Sequence, residues 1–190
     1  MPPQPDTREA LRLLHTQLAI HTNDRVLQLL GKAARTPRED AEMLHAAHAS
    51  CYHWMQAGAA VHRQRAEWLI SRVYAWLGRG EAALTHAEAC GTLTREYPGE
   101  MEDYDRAYAL ECAARAYALK GRRSAAGKLR ERALRAGQHI HLSEDRRLFL
   151  EDLRTGPWNG VVDSTALPSA FDQACQPHRQ GEAASAGAAP

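Results

Sequence analysis

Apolar residues recur along most of this chain at three- and four-residue spacing, and no segment alternates polar with apolar, so the pattern predicts helices throughout. Asp6 and Glu9 are spaced as a capping box and open a first helix over about 7–20. Asn23 or Asp24 can cap a shorter one carrying Val26, Leu27, Leu29 and Leu30, weakened at its end by Gly31. Thr36-Pro37-Arg38-Glu39 is the strongest start signal. Thr supplies the cap oxygen, Pro needs no N–H at the first helical position, and Glu reaches back from the third. That helix runs to about Ala57 and stops at Gly58. Further helices are expected over 60–77, ending at Gly78, and over 81–96, closed by Tyr97-Pro98-Gly99. The acidic run Glu100, Glu102, Asp103 and Asp105 suits the positive end of a helix reaching Lys120. A basic helix over 122–136 stopped by Gly137 follows, then a short one over 143–153 before Gly156-Pro157.

Two segments repeat each other, EWLISRVYAWLGRGEAALTHAEAC at 67–90 and LECAARAYALKGRRSAAGKLRERA at 110–133. Aligned on Tyr74 and Tyr117, they share Gly78 with Gly121, Ala83 with Ala126, and a small residue at Cys90 and Ala133. An aromatic wedges between paired helices, Gly makes the turn, and small residues let the second helix approach closely. This pattern resembles the tetratricopeptide repeat, over 60–136 and more loosely over 24–58. Two features depart from it. The tyrosines stand 43 residues apart rather than about 34, because YPGEMEDYD lengthens the second connection, and the closing Pro fits only approximately at Pro98. The whole chain also resembles a small group of bacterial tetratricopeptide-like proteins, which brings no activity with it. The resemblance implies an all-α solenoid of about seven helices in antiparallel pairs, spanning residues 1–160.

It also implies a groove lined by the first helix of each pair, here Arg65, Trp68, Arg72, Ala75 and Trp76, then Tyr108, Glu111, Arg115, Ala118 and Leu119. Helical geometry agrees independently, since Arg65, Trp68, Arg72 and Trp76 fall within about 80° of one another. Cations interleaved with indoles suit an acidic peptide or a C-terminal carboxylate. The competing expectation is that the tryptophans are core and the arginines extend from its edge.

EMLHAAHASCYHWM, at 42–55, concentrates three histidines, a cysteine and a glutamate in one helix. Glu42 and His45 form the Glu-x-x-His pattern with which helical bundles hold metals, and His53 lies on the same stripe. A transition metal such as Zn or Fe could use Glu42, His45 and His53, with His86 or His62 reaching in from neighbouring helices. A second Glu-x-x-His is absent, as are HxxxH and HExxH, so His48 is expected in the core and His45 and His53 at a solvated edge. The sequence holds no Gly-rich phosphate loop and no GxSxG, and Cys51 and Cys90 fall at close-packed helix positions.

The chain's 190 residues carry 24 Lys+Arg against 23 Asp+Glu, a balance that argues against strong non-specific nucleic-acid binding. The segment 120–135 is nevertheless basic, with Glu131 as its only acid, and offers a second place for an anionic partner such as nucleic acid. No apolar run approaches a membrane span, the first ten residues lack a secretory pattern, and the four cysteines form no CxxC pair. The expected compartment is cytoplasmic. From 161 to 190 the composition turns to Ala, Gly and Pro, as in a disordered tail. The reading that fits these features is a protein- or peptide-binding helical module without a cofactor, able to cover one flank by homodimerisation. A metal-binding helical protein or enzyme centred on His45 and His53 is the alternative.

Overall fold

The computed structural model describes residues 7–161. It is all-α, with α1 (Thr7–Leu30), α2 (Pro37–Ala57), α3 (Ala60–Trp76), α4 (Gly80–Glu96), α5 (Asp103–Leu119), α6 (Arg123–Gln138) and α7 (Ser143–Arg154). The tail expected to be disordered lies, past residue 161, outside the described residues, as does Asp6 of the first expected cap.

Local signals placed most helix ends. The Thr36 hydroxyl accepts from the Glu39 N–H at 3.3 Å, and the Glu39 carboxylate accepts from the Thr36 N–H at 2.8 Å, completing the capping box of α2. The repeated tyrosines end their helices identically. Gly78 and Gly121 both adopt φ 71°, and the N–H two residues beyond the last helical turn returns to the tyrosine carbonyl, Arg79 to Tyr74 and Arg122 to Tyr117, each at 2.9 Å. This left-handed glycine with its six-to-one hydrogen bond lets the chain reverse into the next helix without exposing carbonyls. The first helix overturns its sequence reading. A single α1 runs through Asn23 and Asp24, because neither residue breaks a helix that α2 supports along its length. Gly137 does not stop α6 either. A Cβ there would lie 2.3 Å from the Phe149 ring, so the missing side chain is the notch into which α7 docks.

Helices pack most extensively as α1 with α2, α3 with α4, and α5 with α6; the pairs then join through α2–α3 and α4–α5. The odd helices adjoin one another, α3 with α5 and α5 with α7. Three clusters fill the interior, centred on Val26, Met43, Leu69 and Val73; on Ala83, Cys90, Cys112 and Ala116; and on Ala126, Ala133, Phe149, Leu153 and Trp158. The small residues between the last two pairs let their axes approach closely. Glu100, expected to start α5, caps α3 instead, its carboxylate accepting from the Ala60 and Val61 N–H groups at 2.9 and 3.4 Å. No helix among the described residues is long and apolar enough to cross a membrane.

Candidate functional site

Of the residues expected to line a groove, Arg65, Trp68, Arg72, Tyr108, Glu111 and Arg115 come together on the face shared by α3 and α5, whereas Ala75 and Ala118 are buried in core clusters. Trp68 packs on Tyr108 with ring centroids 4.9 Å apart and donates its indole N–H to Glu111 at 3.3 Å. Arg65 makes a two-pronged ion pair with Asp105, at 2.8 and 2.9 Å, and the same carboxylate accepts the Glu102 N–H at 3.0 Å. Arg72 crosses α5 to make a second two-pronged pair with Asp152 of α7, at 2.8 and 3.0 Å, and Tyr108 donates its hydroxyl to Asp152 at 2.9 Å. Arg115 is buried, bound to Glu111 one turn away and to the Asp152 carbonyl at 2.6 Å. Its guanidinium also covers the ring of Trp158 at 4.3 Å, with Arg130 at 5.0 Å from that ring. Trp76 is partly exposed at the far end of α3, under the Arg35 guanidinium.

Arg65, Arg72 and Arg115 are therefore each matched by a carboxylate, whereas buried Arg130 has none among the described residues, and burial and the nearby Arg115 charge lower its pKa. Burial works against the Arg72 cation, yet Asp152 and Glu111 overcome it and raise its pKa above the ordinary arginine value. Burial would likewise raise the Asp152 pKa, but Arg72, Tyr108 and Arg115 hold it below the usual carboxylate range. Burial, followed by the Asp152 charge, pushes the Tyr108 phenol upward. Arg72 and Arg115 are thus ties between helices, and exchanging Arg72 for Glu would set two carboxylates against each other across α5. What remains open on this face is a cleft of about 190 Å³ formed by Asn23, Leu27, Gln64, Arg65, Trp68, Asp105 and Tyr108. Leu13, Ile20 and Leu27, seven residues apart on α1, form one stripe leading into it, each about half exposed at 47%, 48% and 47%.

The histidine cluster is dispersed. Glu42 is held by Arg25 at 2.7 Å, and His53 meets His15 of α1 with Nδ1 atoms 2.8 Å apart. His86 binds Glu67 of α3 through Nδ1 at 2.7 Å, while His62 accepts the Ala59 N–H at 3.0 Å and stacks on Trp54. His45 is exposed on α2. The structure does not bring Glu42, His45, His53 and His86 together, and among the described residues no three His, Cys, Asp or Glu side chains group as metal ligands. His48, expected in the core, is exposed at the surface of α2, where Nε2 meets the Tyr74 hydroxyl at 2.9 Å. Cys51, Cys90 and Cys112 are buried free thiols, in keeping with the close-packed positions expected for the first two. Burial, then the nearby Glu67 carboxylate, pushes the Cys51 thiol up to about 12, which keeps it protonated.

A second concave feature is marked by no motif in the sequence. On the opposite side, α4 and α6 stand apart over α5 and leave an open cleft of about 820 Å³. Its lining comes from three helices, each unremarkable alone. The signal that could have found it is the difference between aligned repeat positions, where Glu67, Ile70 and His86 give way to Leu110, Ala113 and Leu129.

No family model, curated protein or solved structure matches this chain.

Proposed function

We propose that this chain is a protein- or peptide-binding module, a tetratricopeptide-like stack of helix pairs that contacts its partner through the open end of the α1–α3–α5 face. One observation carries the reading. Half-exposed leucine and isoleucine side chains of α1 lead into a cleft walled by Trp68 and Tyr108, whose neighbouring charges are already paired. Such a surface offers apolar and aromatic contact area with little ionic desolvation, the composition of a peptide-contact core. Arg65 at its rim is part-exposed beside buried Asp105, so its outward-facing N–H can reach the backbone carbonyls of an extended or helical segment.

The test is a selection of displayed random peptides against the full-length chain, with affinities measured by fluorescence anisotropy. Leu27→Glu is expected to weaken the selected peptides about tenfold or more, by placing a charge in the apolar contact. Circular dichroism should be unchanged, since Leu27 is half exposed. Peptides indifferent to Leu27→Glu would place the contact elsewhere.

A further inference from the structure

The outer cleft has a defined floor and rim. Ala109, Leu110, Ala113 and Tyr117 of α5 form its floor, and Leu84 and Ala87 of α4 face Leu129 of α6 across it. From Arg106 to Tyr117 the α5 stripe rises roughly 16 Å at about 1.5 Å per residue, the length of three helical turns. Ala113 is decisive for its depth, because the corresponding residue in the preceding repeat, Ile70, is buried and fills that space.

The charge at this cleft is one-sided. Arg95 in the last turn of α4, Arg106 in the first turn of α5 and Arg132 of α6 line it, against the single acid Glu88. Arg95 donates to the Thr92 hydroxyl and Arg106 to the Pro98 carbonyl. None of the three is paired with a carboxylate among the described residues, in contrast to the neutralised arginines of the inner face. The antiparallel course of α4 and α5 puts Arg95 and Arg106 at the same end, so the groove is apolar along its length and cationic at one end.

We infer that this groove takes an amphipathic helix from another protein, with an apolar stripe over Ala113 and Leu110 and carboxylates over Arg95, Arg106 and Arg132. A helix presents apolar side chains at three- and four-residue spacing to a trough between two others, and acidic residues beside the stripe complete three cations left without counter-charges. A nucleic-acid strand would gain from the arginines but leave the apolar lining of Leu84, Leu110 and Leu129 unused. The inference deepens the peptide-binding reading and rests on it, but names a different surface and the partner's chemistry.

The same displayed-peptide selection, with peptides of about 18 residues, decides it. Two variants report on this groove, Ala113→Trp to fill it and Arg132→Glu to reverse its charge, each with fold checked by circular dichroism and thermal melting. The expected peptides carry Leu, Ile or Phe at three- and four-residue spacing and Asp or Glu beside that stripe. Their affinity should fall about tenfold or more in both variants. Exchanging the peptide acids for Lys should restore binding to Arg132→Glu. Peptides that bind both variants unchanged but lose affinity in Leu27→Glu would overturn this inference and leave the inner cleft as the contact. Preferential retention of a single-stranded oligonucleotide, lost in Arg132→Glu, would overturn it in favour of nucleic acid. A selection that enriches no peptide would overturn both readings.

Discussion

The two grooves formed between even-numbered helices, one over α3 and one over α5, share a template and differ in what fills them. Over α3, Tyr74 hydrogen-bonds His48 and stacks on His86, which binds Glu67, and Ile70 is buried beneath. Over α5, Tyr117 keeps its place and its Gly121 turn, but Leu110, Leu129 and Ala113 replace Glu67, His86 and Ile70. The first groove is closed by its own polar network and a large aliphatic side chain. The second is open, apolar and rimmed by arginines. In a repeated scaffold, then, the turn and wedge residues maintain the fold, while three substitutions on the outer stripe convert a sealed seam into an accessible trough.

The sharpest way to break this comparison is to exchange the residue that sets depth. Ile70→Ala should lower stability by about 2–5 kcal/mol, because Ile70 is fully buried and the cavity cannot collapse completely. Ala113→Ile should cost less than about 1 kcal/mol, since the added carbons project into open space. Urea unfolding of both variants checks this, and equal losses would show that the two grooves are equally packed.

A smaller effect is expected from the network over α3. His86→Leu alone should destabilise by about 1–3 kcal/mol, leaving the half-buried Glu67 carboxylate without the imidazole it binds. The double change Glu67→Leu with His86→Leu, which reproduces the residues over α5, should recover most of that loss. The coupling is read from a double-mutant cycle.

The gentlest perturbation is acid. Burial holds the His48, His53 and His62 pKa values below the ordinary 6.5, with His86 adding repulsion at His48 and His15 at His53. Glu67 and Glu100 oppose the shift at His48 and His62 without reversing it. The unfolded chain therefore binds protons first, and stability should fall as pH drops below about 6.5. His48→Gln should flatten part of this slope in urea midpoints measured between about pH 7.5 and 5.5. Asp152, whose pKa is depressed, loses its stabilising contribution only at more acid pH, as pH falls through the ordinary carboxylate range towards its own lower pKa. Because these histidines belong to α2 and α3, amide protection factors, corrected for the slower intrinsic exchange at mildly acid pH, should fall there before they fall in α6.

What was legible in the sequence was local. The Thr36–Glu39 box and the paired Tyr–Gly turns depend on residues within five positions of one another, and they appear where expected. The placing of Trp68, Arg72, Tyr108, Glu111 and Arg115 on one face was what the tetratricopeptide resemblance implied, and helical spacing agreed for Trp68 and Arg72. What was hidden depends on distant partners. Glu100 caps a helix beginning 40 residues earlier, and Arg72 finds its carboxylate 80 residues later, so neither pairing leaves a short-range pattern. The continuous α1 was obscured for the opposite reason. Asn23 and Asp24 look like a cap, but a cap is used only where the chain has cause to turn, and none exists there.

The Arg72–Asp152 pair has a consequence for how the molecule comes apart. A stack whose layers touch only their immediate neighbours unravels from its ends, one layer at a time. This pair skips a layer, fastening α7, the last of the described helices, to α3 over the top of α5, while Tyr108 grips the same carboxylate from between. The last helix cannot fray without releasing an anchor in the middle of the chain. The segment from α3 to α7 is therefore expected to open together, and α7, otherwise the most loosely packed of the described helices, becomes a clasp.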